Sequence, residues 1–255
     1  MENESRNIPL PIQRETRKQC GFGCVICGSP LYEYDHIIEW SIVKEHKIEN
    51  LALLCDKHHK EKTVGLLTRD QVRKYRNTPY NLNVEYSKKY DLHFEGQDFT
   101  LQFGDMTFRL ENVNSTNDFL IPFLINNKQL IGFEIIDDQL YFNLVLFDKS
   151  GKLLLKIERN RLIYKIEQWD IHFVGRNLKI REGLKRIILD IDFLIPNSVK
   201  INKAYFFYDK REIIIENGTL VTKNFFLRCK NVVGFRILVA FGEYDGKVPC
   251  LARIN

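Results

Sequence analysis

The chain has no apolar run near the roughly 18 to 20 residues that a membrane span needs, so no membrane partner is expected. Its first stretch, MENESRNIPLPIQRETRK, is polar and has no apolar core, so it does not read as a secretory signal, and the expected location is the cytoplasm. A large charge excess is missing too. Lys and Arg number 38 against 33 Asp and Glu, a net charge of +5 over 255 residues, too weak a lean to mark a nucleic-acid binder alone. There is no strict internal repeat, and beyond about residue 97 no long helical periodicity. A length of 255 residues with 44% hydrophobic content allows one large domain or two small ones.

What is present falls into two parts. The first 80 or so residues mix short elements. Pro9 and Pro11 mark an extended lead-in, and a short helix is expected from Gln13 to Cys20. GFGCVICGSP reads as a glycine-punctuated turn, LYEYDHIIEW (31–40) as a strand, and NLALLC (50–55) as a second short strand. DKHHKEKTVG reads as a helix with Asp56 in its first turn and Gly65 as its stop. Thr68 is placed to cap a further helix over LTRDQVRKYRN. From about Gln97 the chain becomes a succession of short alternating runs, among them DFTLQF, QLIGFEII, QLYFNLVLF, NLKIR and KRIILDIDF, separated by turn signals such as NN, DD and ENG. The boundary is expected near residues 77 to 95, giving parts at 1–82 and 83–255. The fold class is α+β, with the second part all-β, as a sandwich or an irregular β-solenoid.

Six cysteines are present, and four of them (Cys20, Cys24, Cys27, Cys55) lie in the first 55 residues. Clustering beside histidines in a chain read as cytosolic points to metal rather than disulfides. Cys24 and Cys27 form a CxxC pair. Cys55 and His58 form a CxxH pair at helical i,i+3 spacing. Together they can complete a tetrahedral S₃N zinc site. With all four positions filled by protein, that zinc would be structural, with a folding contribution on the order of 10 kcal/mol. Cys20 reads as a spare buried thiol.

Residues 28–54 separate the two halves, and that insert carries more chemistry. It holds Asp35 and His36 at the end of the first strand and Asn50 at the start of the second, and His59 follows the last zinc ligand. Each alone is ordinary: a DH pair means little, a lone helical histidine is usually exposed, and an asparagine opening a strand is usually turn chemistry. Their joint occurrence in order is not ordinary. With CVIC (24–27), YDHI (34–37), NLALLC (50–55) and HHKEK (58–62), the chain resembles the HNH endonuclease family over roughly residues 14 to 76. The resemblance implies a ββα-metal module, a hairpin packed on a helix with one divalent metal in the cleft. It implies His36 as the general base, Asp35 and His59 as metal ligands, and Asn50 as the residue that constrains the hairpin and orients the base. Mg²⁺ or Mn²⁺ is the implied catalytic ion, and an imidazole ligand extends the choice to Ni²⁺ or Co²⁺. Two features depart from the family. KEHKIE stands where the loop is commonly glycine-rich, and Ile38-Glu39 stands where a proline is common.

From Lys57 to Arg76 seven residues are basic (Lys57, Lys60, Lys62, Arg69, Arg73, Lys74, Arg76) and two acidic (Glu61, Asp70). Lys57, Lys60, Lys62, Arg73, Lys74 and Arg76, with Arg14, Arg17 and Lys18, are candidates for phosphate contact. DNA is the expected partner, with RNA as the alternative. One site per chain cuts one strand, so a homodimer or higher homo-oligomer is expected for double-strand breaks. The setting this implies is restriction or antiphage defence; a catalytically idle zinc module is the alternative. Glu33 and Glu39 read as exposed carboxylates and His46 as loop surface. In the β-rich part, Asp190 and Asp192 read as the polar face of a strand, Trp169 as core or partner contact, and His93 and His172 as isolated.

Overall fold

Proline starts the first helix. Pro9 is its N-cap, and Pro11 lies within the first two helical positions, where the missing N–H costs nothing because that donor has no intrahelical acceptor. Helix α1 therefore begins at Leu10 rather than Gln13 and runs Leu10–Gln19. This computed structural model describes residues 6–163, 170–223, 225–227 and 230–254. Trp169 and Cys229 lie outside the described residues. None of the described helices is long and apolar enough to cross a membrane.

The hairpin consists of β1 (Glu33–His36) and β2 (Leu51–Leu54), antiparallel, with Asp35 opposite Ala52 and His36 opposite Leu51. All four residues of β2 are fully buried, as a short continuous apolar run suggests. β1 is much shorter than the apolar stretch 31–40, and Asn50 is the reason. Its backbone carbonyl accepts from Ile37 N–H at 2.8 Å. Its side chain then takes the next pair of bonds, accepting from Ile38 N–H at 2.8 Å and donating to Ile38 O at 2.9 Å. A side chain thus replaces the next rung of the ladder, and the chain turns out into α2 (Trp40–Val43).

Helix α3 (Asp56–Thr63) follows β2 directly and ends before Gly65, whose φ of +82° suits a glycine stop. Helix α4 (Arg69–Asn77) is closed at its start by a capping box between Thr68 and Gln71. Helix α5 (Tyr80–Val84) is laced back to the cysteine turn: Tyr80 N–H donates to Val25 O, and Asn81 Nδ2 donates to Gly21 O. That turn needs glycine at 28, where φ is +73° and a Cβ would stand 2.2 Å from Asn81 Oδ1.

From Leu92 the described chain is all strand and turn, in two sheets. One is a meander from Asp118–Ile125 to Arg161–Ile163, extended by Ile237–Phe241 and Cys250–Ile254 in parallel. The other is a meander from Asp170–Val174 to Phe225–Leu227, with Phe99–Phe103 parallel to Ser198–Tyr208. They share one core. Phe123 of the first meets Phe206 of the second edge-on at 4.9 Å, and Phe142 meets Phe193 at 5.5 Å. This is sheet-on-sheet packing, the sandwich form rather than the solenoid. Tight hairpins set the register. Asn126-Asn127, Asp137-Asp138, Arg159-Asn160, Asp209-Lys210 and Asn217-Gly218 all have two consecutive positive φ angles, the two-residue turn whose twist matches the strands. Asp190 and Asp192 lie together on the polar face, both bonded to Asn177.

The helical part docks on the sheets through a buried ion pair. Arg17 Nε and Nη2 donate to Asp170 Oδ1 and Oδ2, each at 2.8 Å, and Nη1 donates to the Tyr34 hydroxyl. Asp170 is fully buried and Arg17 nearly so. Arg14 and Arg181 stand 4.0 and 3.9 Å from the same carboxylate. The reading of Arg17 as a phosphate contact is therefore corrected: its charge is spent inside the protein. Replacing Asp170 with alanine strands a buried guanidinium, so Asp170→Ala is expected to destabilise the protein by about 3–5 kcal/mol in urea unfolding. A loss below about 1 kcal/mol would show that water replaces the carboxylate, as at an exposed pair.

His172 lies two residues along the strand from Asp170. Burial pushes its pKa down to about 4, helped by the positive charges of Arg17, Arg181 and Lys179 and opposed by Asp170. The folded state therefore keeps this ring neutral while an unfolded histidine titrates near 6.5. Its stabilising effect is complete above that value and is lost as pH falls from about 6.5 toward 4. His172→Phe should flatten this part of the acid limb: the gap between wild type and variant in urea midpoint should change between pH 7 and pH 4.5. A gap independent of pH rules out a buried neutral His172.

Candidate metal centre and catalytic cleft

Cys24 and Cys27 come from the turn after α1, and Cys55 and His58 from the start of α3. The ligand atoms of these four residues all lie within 4.8 Å of one another. His58 Nδ1 is 3.3 Å from Cys24 Sγ and 3.2 Å from Cys55 Sγ, and Cys27 Sγ is 3.8 Å from Cys55 Sγ. Zn–S bonds of about 2.3 Å in a tetrahedron give S···S edges of about 3.8 Å, so the donor set and its spacing fit zinc. The other ring nitrogen of His58 lies 4.0 Å from Glu61 Oε2. Hydrogen bonding between the two thiols holds Cys27 down to about 5 and pushes Cys24 up. Cys20 is fully buried outside the cluster, and burial pushes it up to about 11, an inert thiol.

One residue further along α3 the ring turns away by about 100°. His59 Nε2 lies 3.5 Å from Asp35 Oδ1, and its Nδ1 lies 3.3 Å from Glu33 Oε2. Asp35 and His59 thus meet where the end of β1 faces α3, and His36 follows Asp35 on the strand with its ring against His46 and Trp40. Asp35 is buried, at 6% exposure, and burial pushes its carboxyl up from the usual range against the pull of Lys62 and His59. Lys62 Nζ lies 2.8 Å from Asp35 Oδ2 and donates to Oδ1 at 3.0 Å, so the carboxylate is ion-paired with the ammonium. A carboxylate with an imidazole nitrogen 3.5 Å from its Oδ1 is by chemistry a donor pair for a divalent cation, which would share the carboxylate with the Lys62 ammonium. Among the described residues, only the Cys₃His group brings three or more ligand atoms within 4.8 Å of one another, so water or substrate would complete this second set.

Besides Arg17, two more of the cations read as phosphate contacts are not on the surface. Lys62 is only 8% exposed at its side chain. Its ammonium donates to Asp35 Oδ1 at 3.0 Å and to the His36 carbonyl at 2.6 Å. Arg76 is 9% exposed and donates to Leu51 O at 2.8 Å and to Gln19 Oε1 at 2.6 Å, tying α4 to β2 and α1. Each long side chain has found backbone carbonyls or a carboxylate within reach, where pairing offsets the cost of burial. Lys57, Lys60, Arg73 and Lys74 remain exposed.

His36 is half-buried. Burial lowers its pKa, helped by His46, Lys62 and Arg6, so the ring is neutral at pH 7. Its Nε2 is 3.1 Å from Nδ1 of His46. His46 is thus not idle loop surface, and Arg6 of the lead-in also bears on the site. The unusual loop KEHKIE was the signal for His46; nothing local marked Arg6. Glu33 is exposed as expected, yet it holds His59, while Glu39 pairs with Arg69.

A two-stranded hairpin crossed by a short helix, with a Cys₃His cluster fastening that helix, defines a ββα module of the metal-knuckle kind. The family model described as HNH endonuclease matches residues 24–65, so this chain carries an HNH endonuclease domain there. No curated protein and no solved structure matches the chain. The domain points to a nuclease-type or nucleic-acid-binding function.

Proposed function

We propose that residues 1–82 hydrolyse phosphodiester bonds in DNA and that residues 83–255 direct or regulate that cutting. The observation that supports this most is the meeting of Asp35 at the end of β1 with His59 on the helix fastened by the cysteine cluster, with His36 next to Asp35 on the strand. His36 takes the proton of the attacking water, for which a neutral imidazole is suited. Asn50, bonded to both polar groups of Ile38, fixes the backbone just after the base. Lys62 ties the His36 carbonyl to Asp35. Asp35 and His59 would hold a divalent ion, Mg²⁺ or Mn²⁺ with Ni²⁺ or Co²⁺ as alternatives, which when bound supplies Lewis-acid stabilisation of the phosphate and the leaving oxygen. Glu33 faces His59 Nδ1 at 3.3 Å, which leaves Nε2, on the side of Asp35, as the nitrogen for the ion. Lys57, Lys60, Arg73 and Lys74 contact phosphate, so binding weakens steeply with salt. One such site cuts one strand, and double-strand breaks require two chains acting together. A defence role such as restriction is the setting in which such cutting would serve.

The test is nicking of supercoiled plasmid by the full, zinc-loaded chain with Mg²⁺ or Mn²⁺, beside an RNA of matched length. Cutting of DNA is the expected result. Cutting of RNA alone makes the protein a ribonuclease. No cutting of either with any of the four ions sinks the reading and leaves a binding module.

A further inference from the structure

Three rings, the proposed base among them, close on one another. His36 and His46 have centroids 5.3 Å apart, with Nε2 of the first 3.1 Å from Nδ1 of the second. His46 stacks on Trp40 at 4.4 Å with 18° between planes, and Trp40 leans on His36 at 5.3 Å. The loop is folded to bring this about. Lys44 adopts a left-handed conformation with φ of 47°, and its N–H closes α2 on Trp40 O at 2.9 Å. The chain then doubles back and re-enters β2 through a single 3₁₀ turn at Ile48–Asn50.

We propose that His46 is the positioning residue for His36: it accepts the Nε2 hydrogen of that ring, and Trp40 holds it there by stacking. This rests on the reading of His36 as the base. A neutral imidazole carries one hydrogen on one of two nitrogens. With Nε2 engaged by His46, Nδ1 is the nitrogen left to receive a proton from water. It can do so only if the ring hydrogen sits on Nε2, which requires His46 to offer the lone pair of its Nδ1. Run the other way, with His46 donating, the hydrogen of His36 sits on Nδ1 and the base is blocked. The direction of one hydrogen bond thus decides whether His36 is competent. The bond also strengthens as the reaction proceeds. Once Nδ1 has taken the proton from water, the Nε2–H belongs to an imidazolium, and a charge-assisted bond is roughly twice as strong as a neutral one. An interaction stronger after proton transfer than before lowers the barrier rather than merely holding the ground state. The proton remains on His36 until solvent removes it; His46 takes none.

The experiment compares full-length, zinc-loaded wild type with His46→Ala, His46→Asn and His46→Leu. Holding the tautomer of a catalytic histidine through a carboxylate is worth about 10⁴-fold in a serine-protease triad. A neutral acceptor should be worth less, on the order of 10- to 100-fold in kcat. His46→Ala and His46→Leu should show that loss with KM and zinc content unchanged. Leucine keeps apolar area against Trp40 but offers no acceptor, so it separates packing from hydrogen bonding. Asparagine can present its amide oxygen near the place of Nδ1 and should recover most of the rate. In ¹⁵N-histidine-labelled protein, His36 should carry its hydrogen on Nε2 in wild type and His46→Asn, and lose that preference in the other two. Wild-type kcat in His46→Ala, no rescue by asparagine, or an unchanged His36 tautomer overturns the proposal. If the wild type cuts nothing, the nuclease reading has failed, and the tautomer measurement alone still decides whether His46 sets the ring.

Discussion

His36→Ala should leave the protein folded and zinc-loaded while lowering plasmid cutting by about 10²- to 10⁴-fold. The size follows from what the ring supplies. Bulk water loses its proton with a pKa of about 15.7, and without a base in reach the attacking hydroxide must come from solvent at neutral pH. Burial, His46, Lys62 and Arg6 all hold the His36 ring neutral and ready to accept. Little else depends on it. His36 is half-buried at the end of β1 and is absent from the module's apolar core. Asp35→Ala is the poorer test, because it also strands the nearly buried Lys62 ammonium and so mixes stability with chemistry. Metal analysis of the variant beside its nicking rate checks the result. Undiminished cutting by zinc-loaded His36→Ala would remove this residue from the reaction.

The second large effect separates the adjacent histidines. His58→Ala should release zinc and unfold the helical module. His59→Ala should keep zinc and stop cutting. The module depends on the metal because its own apolar core is small. Its buried apolar cluster is Cys20, Cys24, Val25, Ile37, Ala52, Leu53, Leu54 and Val72, three of them a candidate zinc ligand or the neighbour of one. A core of that size supplies only a few kcal/mol, whereas apparent zinc binding energies in comparable small sites are about 10–16 kcal/mol. The sheets have a far larger core of their own and should survive. Chelation is therefore expected to add an early melting transition in calorimetry, with the β signal in circular dichroism persisting to higher temperature. A melt unchanged by chelator, or equal zinc loss from both histidine variants, would show that the two rings do not divide the work in this way.

Much of the site was legible because its geometry is local. CxxC closes a tight turn, and Cys55 and His58 share a helix face. Neighbouring helical residues diverge by about 100°, so His58 and His59 had to face different groups. The hairpin signals Asn126-Asn127 and Asp137-Asp138 were equally readable, because two positive φ angles in succession favour asparagine, aspartate and glycine. Arg159-Asn160 and Asp209-Lys210 make the same turn without so clear a composition. The first strand was overread, because Ile37 and Ile38 look like strand residues and only the amide of Asn50, twelve positions beyond Ile38, takes them out of the ladder.

The chain's order of residues by itself determined which four residues form the candidate zinc cluster, the identity of the acid and imidazole groups, and the change from a mixed module to sheets. These depend on spacing over a few residues, which the backbone converts into direction with little freedom. Tertiary structure alone decided where the long side chains go. Arg17 reaches Asp170, 153 residues away, and Arg76 reaches Gln19, 57 away. Lys62 turns inward to Asp35, and His46 comes back onto His36. A lysine or arginine has several rotatable bonds and a charge that serves solvent, phosphate or carboxylate alike. Which of these it meets depends on which groups folding has brought within reach and stripped of water, and no local pattern encodes that.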